Sequence, residues 1–261
     1  MTDGPDRVRK GQRVEAVDTL ASLANEALKV LAKQRVEGSV TLGEKPMAFL
    51  RRSILMFDSR STDIVQRLRD MGISDHAIID HYIPETARRL GADWVADRLG
   101  FADVTIGSAK LQSMLRELVE EENTKSLRAR TAGVAVIVMA SDYHTLGAMV
   151  LTMQLRRLGI STRLLIGVDF EESLPALRAD RFDAVFISAS STKMLSELQL
   201  FIRKLRREAG TGTPIVVGGS ILGTNDDIKT LTGADFATTD PVEALQLCQL
   251  KISKSNNAKA V

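Results

Sequence analysis

The sequence predicts a helical N-terminal region followed by an α/β region with a five-stranded parallel sheet. Residues 44–122 show apolar spacings of three and four and no strand pattern, whereas from Gly133 onward short β-branched runs alternate with helical segments. A charged run without apolar periodicity, residues 120–130, is the predicted linker. The chain of 261 residues is long enough for two such domains.

The composition is that of an ordinary globular protein. Hydrophobic residues make up 44% and charged residues 26%, and the formal net charge of +2 is too small to indicate nucleic-acid binding by itself. The single cysteine, Cys248, excludes an internal disulfide framework and a cysteine-based metal cluster. Because no signal peptide and no apolar stretch of about 20 residues is visible, we expect a cytoplasmic protein without membrane contact.

The first 43 residues are predicted to form a polar tail and one amphipathic helix. Apolar residues recur at helical spacing from Val14 to Leu31, and the helix is expected to end near Gly38. The apolar stripe of this helix suits a partner protein. Packing on the following bundle, or pairing of two copies in a homodimer, fits the same stripe. At the other end of the chain, residues 253–261 are polar and are predicted to be a disordered tail.

Four short helices and one longer helix, joined by tight turns, are predicted between residues 44 and 122, which is the pattern of a helical bundle. The third helix should begin after Ser74, a good N-cap residue, and end at Gly91. Pro84 should kink it, because proline lacks a backbone N–H. The predicted segments are Phe49–Phe57, Asp63–Met71, Asp75–Leu90, a short helix around Trp94 and a long helix from about Ala102 to Glu122.

Five strands alternate with five helices between residues 131 and 252, which predicts a flavodoxin-like (Rossmann-like) parallel sheet with the strand order 2-1-3-4-5. The predicted strands are Val134–Met139, Thr162–Gly167, Ala184–Ser188, Pro214–Val217 and Phe236–Thr238. The predicted helices are Thr145–Leu158, Glu172–Ala179, Met194–Glu208, Asp226–Leu231 and Pro241–Leu250. In this fold, ligands bind at the carboxyl ends of the strands, beside the loops that follow the first, third and fourth strands.

These three loops are rich in small and polar residues. Glycines permit close backbone approach, and hydroxyl side chains offer hydrogen bonds while leaving room. We therefore predict a deep polar slot beside the sheet. The candidate ligand-binding residues are Asp142, Tyr143, His144 and Gly147 in the first loop, Ser188, Ser190 and Thr192 in the third, and Gly218, Gly219 and Ser220 in the fourth.

The chain lacks the sequence motifs by which other proteins with this fold bind their ligands. Neither a G-x-G-x-x-G after the first strand nor a phosphate-binding P-loop is present. A phospho-receiver domain needs an aspartate at the end of the third strand, where this chain has Ser188. An acyl-transfer site built on Ser188 or Ser190 would need a G-x-S-x-G elbow, which is also missing.

The pattern Asp142-x-His144-x-x-Gly147, followed by Ser188-x-Ser190 and then Gly218-Gly219, resembles the D-x-H-x-x-G, S-x-L and G-G signature of cobalamin-binding domains. The resemblance implies that His144 ligates the cobalt of cobalamin from below and that Asp142 orients its imidazole ring. It also implies that the nucleotide tail of the cofactor lies in the slot formed by the serines and glycines. Ser190 departs from the pattern, which usually has an apolar residue there.

The helical region resembles the bundle that caps the upper face of cobalamin in methionine synthase and in light-sensing cobalamin regulators. The segments that carry the resemblance are Leu90-Gly-Ala-Asp-Trp94 and Val104-Thr-Ile-Gly-Ser108. In those proteins a Glu-His pair follows the tryptophan after nine intervening residues, and the histidine is an upper ligand. This chain has Val104 and Thr105 at these two positions, and therefore lacks that histidine ligand. With Leu111, the second segment resembles the AerR/PpaA regulators of purple-bacterial photosynthesis genes and a related haem-binding domain.

The resemblance implies a cobalamin-binding, light-responsive transcription regulator that is not an enzyme. It would act as an antirepressor on a partner repressor and would not bind DNA directly, since no DNA-binding motif is evident. Two alternatives stay open. One is a haem-binding redox or light sensor on the same scaffold with His144 as axial ligand. The other is a corrinoid shuttle protein of a methyltransferase system.

Some candidate residues lie outside the three loops. Trp94, the only tryptophan, is either a cofactor contact or a core residue of the bundle. Tyr82 and Phe101 are interpreted as packing residues. His76 and His81 are five residues apart on one predicted helix, about 140° around its axis, and so do not form a two-ligand metal pair. Either one could supply an upper axial ligand if its helix faces the macrocycle.

Overall fold

A computed structural model of the protein describes residues 42–125, 132–180, 182–209, 212–224 and 226–252. In these residues a helical region precedes a five-stranded parallel sheet with helices on both faces, so the predicted fold class is confirmed. The predicted N-terminal tail and amphipathic helix lie outside the described residues, as does the tail 253–261. None of the described helices is long and apolar enough to cross a membrane.

The helical region consists of α1 (Glu44–Leu55), α2 (Ser61–Asp70), α3 (Asp75–Ala77), a π-helical turn (Ile78–Tyr82), α4 (Ile83–Val95) and α5 (Phe101–Lys125). Large apolar side chains at helical spacing form its core. Burying each of them contributes about 1.5–3 kcal/mol. The fully buried members are Leu50, Ile54, Ile64, Leu68, Ile78, Ile79, Ile83, Leu90, Leu111, Met114, Leu115 and Leu118.

The helix ends follow the prediction in part. The Ser74 hydroxyl accepts a hydrogen bond from the backbone N–H of Ala77 (3.2 Å), as expected of an N-cap. Gly72, with φ of 81°, follows the end of α2. Gly91 does not end a helix: its φ is not positive, and α4 continues to Val95. Trp94 therefore lies in the last turn of α4, and the separate short helix predicted around it is wrong.

Two further features of the helical region differ from the prediction. Pro84 lies in the first turn of α4, directly after the π-helical turn, where its missing N–H is tolerated. The break in regular helix geometry thus precedes the proline. The predicted linker from Glu120 is wrong in its first half, because α5 continues to Lys125. Glutamate and lysine favour helix without apolar neighbours, so loss of periodicity did not mark the helix end.

The sheet region alternates strands and helices: β1 (Ala132–Met139), α6 (Leu146–Arg157), β2 (Ile160–Val168), α7 (Phe170–Ala179), β3 (Ala184–Ser188), α8 (Leu195–Ala209), β4 (Ile215–Gly218), α9 (Ile228–Thr232), β5 (Phe236–Ala237) and α10 (Pro241–Leu247). All the described strand pairs are parallel, and the order is β2-β1-β3-β4-β5, as predicted.

Alternate residues of the strands supply two apolar layers. From β1, Ala135, Ile137 and Met139 pack with residues of α7, α8 and α9 on one face. Val134, Val136 and Val138 pack with residues of α6 and α10 on the other. Because both faces are covered, the edge formed by the carboxyl ends of the strands is the part of the sheet left to bind ligands.

The helical region contacts the sheet region through α6. The Asp80 carboxylate, in the π-helical turn, accepts hydrogen bonds from Gln154 (3.2 Å) and from Arg157. The Gln112 side chain of α5 donates to the Thr145 hydroxyl, directly before α6 (3.1 Å). These contacts place the π-helical turn beside the C-terminal half of α6 and the middle of α5 beside the loop that follows β1.

Asp93 joins α1 to the chain that follows α4. Its carboxylate, only 10% exposed, accepts hydrogen bonds from Arg98 Nε (2.8 Å) and from the Arg51 guanidinium (2.6 Å). These two arginines, Arg98 first, hold the pKa of Asp93 below its usual range. The folded protein therefore favours ionised Asp93.

We expect the stabilisation by Asp93 to depend on pH. Because its pKa is lower in the folded than in the unfolded chain, the stabilisation is present above the unfolded value of about 4 and disappears as the pH falls through the folded value. Asp93→Asn should lower the urea midpoint at neutral pH, and this difference from wild type should shrink progressively below about pH 4. Asp97→Asn, at an exposed site, should show no comparable change; a pH-independent effect of Asp93→Asn would contradict the argument.

Candidate functional site

Three loops meet at one edge of the sheet because the strands end in register. Val138 of β1 is paired with Ser188 of β3, and Ser188 is paired with Gly218 of β4. The residues that follow these three positions therefore emerge side by side. This is the edge at which the sequence predicted a slot.

A buried carboxylate organises the first of these loops. Asp142 is 4% exposed, and its Oδ1 accepts a hydrogen bond from the backbone N–H of His144 (2.9 Å) and lies 3.0 Å from His144 Nδ1. Because an ionised carboxylate can only accept, Nδ1 carries the hydrogen in this contact. When the ring is neutral, its lone pair is on Nε2. The His144 side chain is 78% exposed, so this nitrogen is available to a ligand.

Ser190 connects this carboxylate to the two neighbouring loops. Its backbone N–H donates to Asp142 Oδ2 (2.8 Å) and its hydroxyl to Asp142 Oδ1 (2.9 Å). The Ser220 hydroxyl in turn donates to the backbone carbonyl of Ser190 (3.0 Å). The residue that departs from the cobalamin-binding signature is thus the one that links all three loops. An apolar residue at position 190 could keep the two backbone bonds, to Asp142 and from Ser220, but would lose the hydroxyl bond to Asp142.

Gly218 and Gly219 are required by contacts between loops. A Cβ on Gly218 would lie 2.9 Å from the backbone oxygen of Thr238, and one on Gly219 would lie 2.4 Å from that of Ala189. Gly219 also has φ of 99°, which side-chain-bearing residues rarely adopt. The sequence predicted close backbone approach at these glycines, and at both positions the approaching group is the protein's own neighbouring loop.

A cavity of about 290 Å³ lies between α6 and the carboxyl ends of β3 and β4. Four predicted site residues line it: Gly147, Ser188, Gly218 and Gly219. At Gly147 a Cβ would meet no atom within 4 Å, so the glycine keeps this part of the cavity open. Other lining residues, most of them apolar, are Val150, Leu151, Gln154, Phe186, Ile187, Val216, Pro241 and Ala244. The slot is therefore less polar than predicted.

Two parts of the cavity wall were not predicted. The segment after β5, Thr238 to Pro241, closes one side, and Asp80 and Pro84 of the helical region close another. The segment after β5 could have been found from the sequence, because an aspartate directly before a proline, Asp240-Pro241, indicates the start of a helix. Asp240 is the N-cap of α10, so the turn before this helix lies at the same edge of the sheet. The second depends on how the helical region packs on α6, which local patterns do not indicate.

One face of α5 is directed toward the His144 loop. Gln112 bonds to Thr145 on this face, and Phe101, Thr105 and Ser108 lie within about 60° of one another and of Gln112 around the helix axis. Phe101 is 75% exposed, so its interpretation as a packing residue is wrong. Tyr82, by contrast, is buried as expected. The N-terminal half of α5 thus presents an uncovered face on the same side as the exposed imidazole.

The remaining predicted residues do not line the cavity. Tyr143 is almost fully exposed beside His144, and Thr192 begins a short 3₁₀ helix after the third loop. Trp94 is half exposed at the end of α4 and is not a core residue of the bundle. His76 and His81 are both exposed.

Comparison with known proteins identifies the sheet region and the family. Residues 132–246 match the family described as the B12 binding domain. The chain is also 35% identical over 161 residues to a Rhodobacter capsulatus protein described as an uncharacterized 20.5 kDa protein in the bchF-crtJ intergenic region; the match covers 61% of this chain and 84% of that protein. The chain belongs to the same family as this protein. The resemblance to AerR/PpaA-type proteins with a B12-binding domain is thereby confirmed.

Solved structures with this fold include the monomethylamine corrinoid protein of Methanosarcina barkeri. It is 19% identical, with a TM-score of 0.57, and the match covers 76% of this chain and 94% of that one. A cobalamin-binding protein from Desulfitobacterium hafniense is 15% identical with a TM-score of 0.42, over 78% of this chain and 97% of that one. The Methanosarcina match exceeds the length of the B12-binding domain, so the shared fold extends into the helical region.

The site of this B12-binding-domain protein fits a corrinoid in two respects. The exposed imidazole of His144 is fixed through Nδ1 by Asp142, which is how a single axial histidine ligand is oriented. Beside it, the cavity opens where Gly147 has no side chain, next to the hydroxyl of Ser188. A planar macrocycle over His144 and an appended tail in the cavity are thus compatible with the residues present.

Proposed function

We propose that this protein binds cobalamin, with His144 as the lower axial ligand of cobalt, and uses it to regulate transcription through a partner repressor. The observation that carries the proposal is the exposed imidazole fixed by a buried carboxylate directly beside the cavity. Bound cobalamin supplies a cobalt ion whose upper ligand can exchange or be released by light.

Each part of the chain has a defined task in this proposal. Asp142 keeps the hydrogen on His144 Nδ1 and orients the imidazole ring, while Ser190 holds Asp142 in place. The cavity takes the nucleotide tail, and Ser188 lines it at the end of β3. The exposed face of α5 (Phe101, Thr105 and Ser108) and Trp94 provide the upper wall. A change at this wall would alter the bundle surface that the partner repressor contacts.

The regulatory role is supported by the relative, whose description places it in the bchF-crtJ intergenic region. A B12-binding domain is a cofactor-binding module, and a corrinoid shuttle protein has the same fold. The two roles differ in chemistry. Transfer of a methyl group from the loaded protein to a thiol acceptor by a methyltransferase would establish the shuttle and overturn the regulatory proposal.

The proposal is tested by the absorbance of protein expressed with both cobalamin and haem available, then gel-filtered in darkness and illuminated. A retained corrinoid spectrum that changes with light is the expected result. A Soret band with no corrinoid bands would identify the haem-binding alternative, and a pyridine haemochrome assay would verify it. A colourless protein would overturn cofactor binding at this site.

Filling the cavity should separate binding of the tail from binding of the macrocycle. We expect Gly147→Leu to weaken cobalamin binding by about tenfold or more, because the new side chain enters the space that Gly147 keeps open. Cobinamide, which lacks the nucleotide tail, should bind to this variant as to wild type. The measurement is the dissociation constant of each corrinoid by ultrafiltration.

Gly147→Ala is the matched control. Position 147 lies in the first turn of α6, where alanine is favoured, and its Cβ would contact no atom within 4 Å. This variant should fold at least as stably as wild type and bind both corrinoids. Equal loss of cobalamin and cobinamide in Gly147→Leu would contradict the assignment of the cavity to the tail.

A further inference from the structure

An open cleft of about 480 Å³ lies on the surface of the helical region. It is lined by Arg51 of α1, by Arg89, Ala92 and Asp93 of α4, and by Arg98 in the turn before α5. None of these residues lines the cavity beside His144. The cleft is therefore a separate feature that the proposed cofactor does not use.

Carboxylates of the protein fix the arginines of this cleft. Asp93 binds the guanidiniums of Arg51 and Arg98, each at 2.6 Å at the closest approach. Glu85, whose side chain is 16% exposed, binds Arg89 at 2.6 Å and also binds Arg88. A guanidinium has five N–H donors, so each arginine retains donors beyond those used here. The side chains of Arg51, Arg89 and Arg98 remain 44%, 51% and 61% exposed.

The arrangement has an excess of fixed positive charge. Three arginines and one aspartate line the cleft, which gives its lining a net charge of +2. Because the carboxylates already hold the guanidiniums in place, the arginine side chains lose little conformational entropy when an oxoanion binds. The planar fork of arginine matches the two oxygens of a carboxylate.

We infer that this cleft binds an acidic segment of a partner protein, whose carboxylates pair with Arg51, Arg89 and Arg98. Arginine is enriched at protein interfaces, and Ala92 adds a small apolar surface within the cleft. Duplex nucleic acid fits less well, because Glu85, Asp93 and the exposed Asp97 interrupt the positive surface that a row of phosphates requires. The inference goes beyond the proposed function and requires no bound corrinoid.

Trp94 provides a direct test. It is the only tryptophan, it is half exposed, and it is the neighbour of Asp93 in the chain. Titrating the full-length, corrinoid-free protein with a hexaglutamate peptide at low salt should give a saturable change in tryptophan fluorescence. Arg89→Gln should raise the dissociation constant about fivefold, and the double variant Arg51→Gln/Arg98→Gln should raise it further.

The variants differ in their risk to the fold. The double variant leaves the buried Asp93 without its partners, whereas Arg89→Gln keeps the Asp93 pairs and leaves Arg88 on Glu85. Arg163→Gln is the matched control, since Arg163 is equally exposed and is paired with Asp180 in the sheet region. It should bind the peptide like wild type.

Three outcomes would overturn the inference. The first is that Arg89→Gln binds the peptide as tightly as wild type. The second is that Arg163→Gln weakens binding as much as Arg89→Gln, which would reveal only general charge attraction. The third is that a DNA duplex displaces the peptide and loses affinity in the same variants, which would assign the cleft to nucleic acid. Because corrinoid is absent throughout, failure here leaves the cofactor proposal untouched, and the reverse also holds.

Discussion

His144→Ala is expected to bind cobalamin more than about 100-fold more weakly than wild type and to lose the absorbance features of imidazole ligation. The reason is that loss of an outer residue that merely orients a metal-bound histidine already costs about 10–100-fold in affinity. The fold should survive, because the side chain is 78% exposed and Asp142 keeps its bonds to Ser190. Dissociation constants and spectra of the reconstituted proteins are the measurement.

Two controls make this result specific. His76→Ala removes an exposed histidine of the helical region and should leave both affinity and spectrum unchanged. Adding free imidazole to His144→Ala should restore part of the spectrum, because the ligand can occupy the space of the missing ring. A His144→Ala protein with the wild-type spectrum would show that another group ligates the cobalt.

Gly219→Ala should destabilise the protein by roughly 2–4 kcal/mol, the range expected when steric strain is added to a disfavoured backbone conformation. Gly219 has φ of 99°, and its new Cβ would lie 2.4 Å from the backbone oxygen of Ala189, which a small shift cannot relieve. The displaced strand ends would also disturb Ser190. Urea unfolding, with the midpoint and slope compared with wild type, measures the effect.

Gly223→Ala is the control for this prediction, because Gly223 ends the short 3₁₀ helix Ser220–Gly223 that Gly219 precedes. Its φ is not positive and its Cβ would have no neighbour within 4 Å, so the change should be close to neutral. Equal midpoints for Gly219→Ala and Gly223→Ala would mean that the two loops can separate at little cost.

The sequence predicted the elements that local patterns define. The apolar run ending at Met139, and the Asp-x-His spacing after it, indicated both the strand end and the residues beside it. The alternation of strands and helices fixed which loops share an edge, because parallel strands with crossover helices allow few arrangements. The role of Ser190 was not foreseen, since its bond to Asp142 joins residues 48 apart and depends on the register of two strands.

The features that were missed depend on tertiary packing. Strand β5 was predicted, but ligand contacts were expected only from the loops after the first, third and fourth strands, so the wall after β5 was assigned no role. Phe101 and Gly91 were misjudged for a related reason. An exposed aromatic residue at a helix start has the same local sequence signature as a buried one, and a helix can continue through glycine when surrounding contacts hold it.

The position of Asp80 couples the two regions thermodynamically. This residue both lines the cavity and accepts the hydrogen bonds from Gln154 and Arg157 that join the helical region to α6. A molecule that binds in the cavity only when Asp80 forms part of the wall must stabilise the contact between the helical region and α6. By thermodynamic linkage, that contact raises the affinity for the molecule by the same factor by which the molecule favours the contact. If the helical region can leave α6, occupancy of the cavity would therefore shift the population toward the arrangement in which Asp80 is bonded to Gln154 and Arg157.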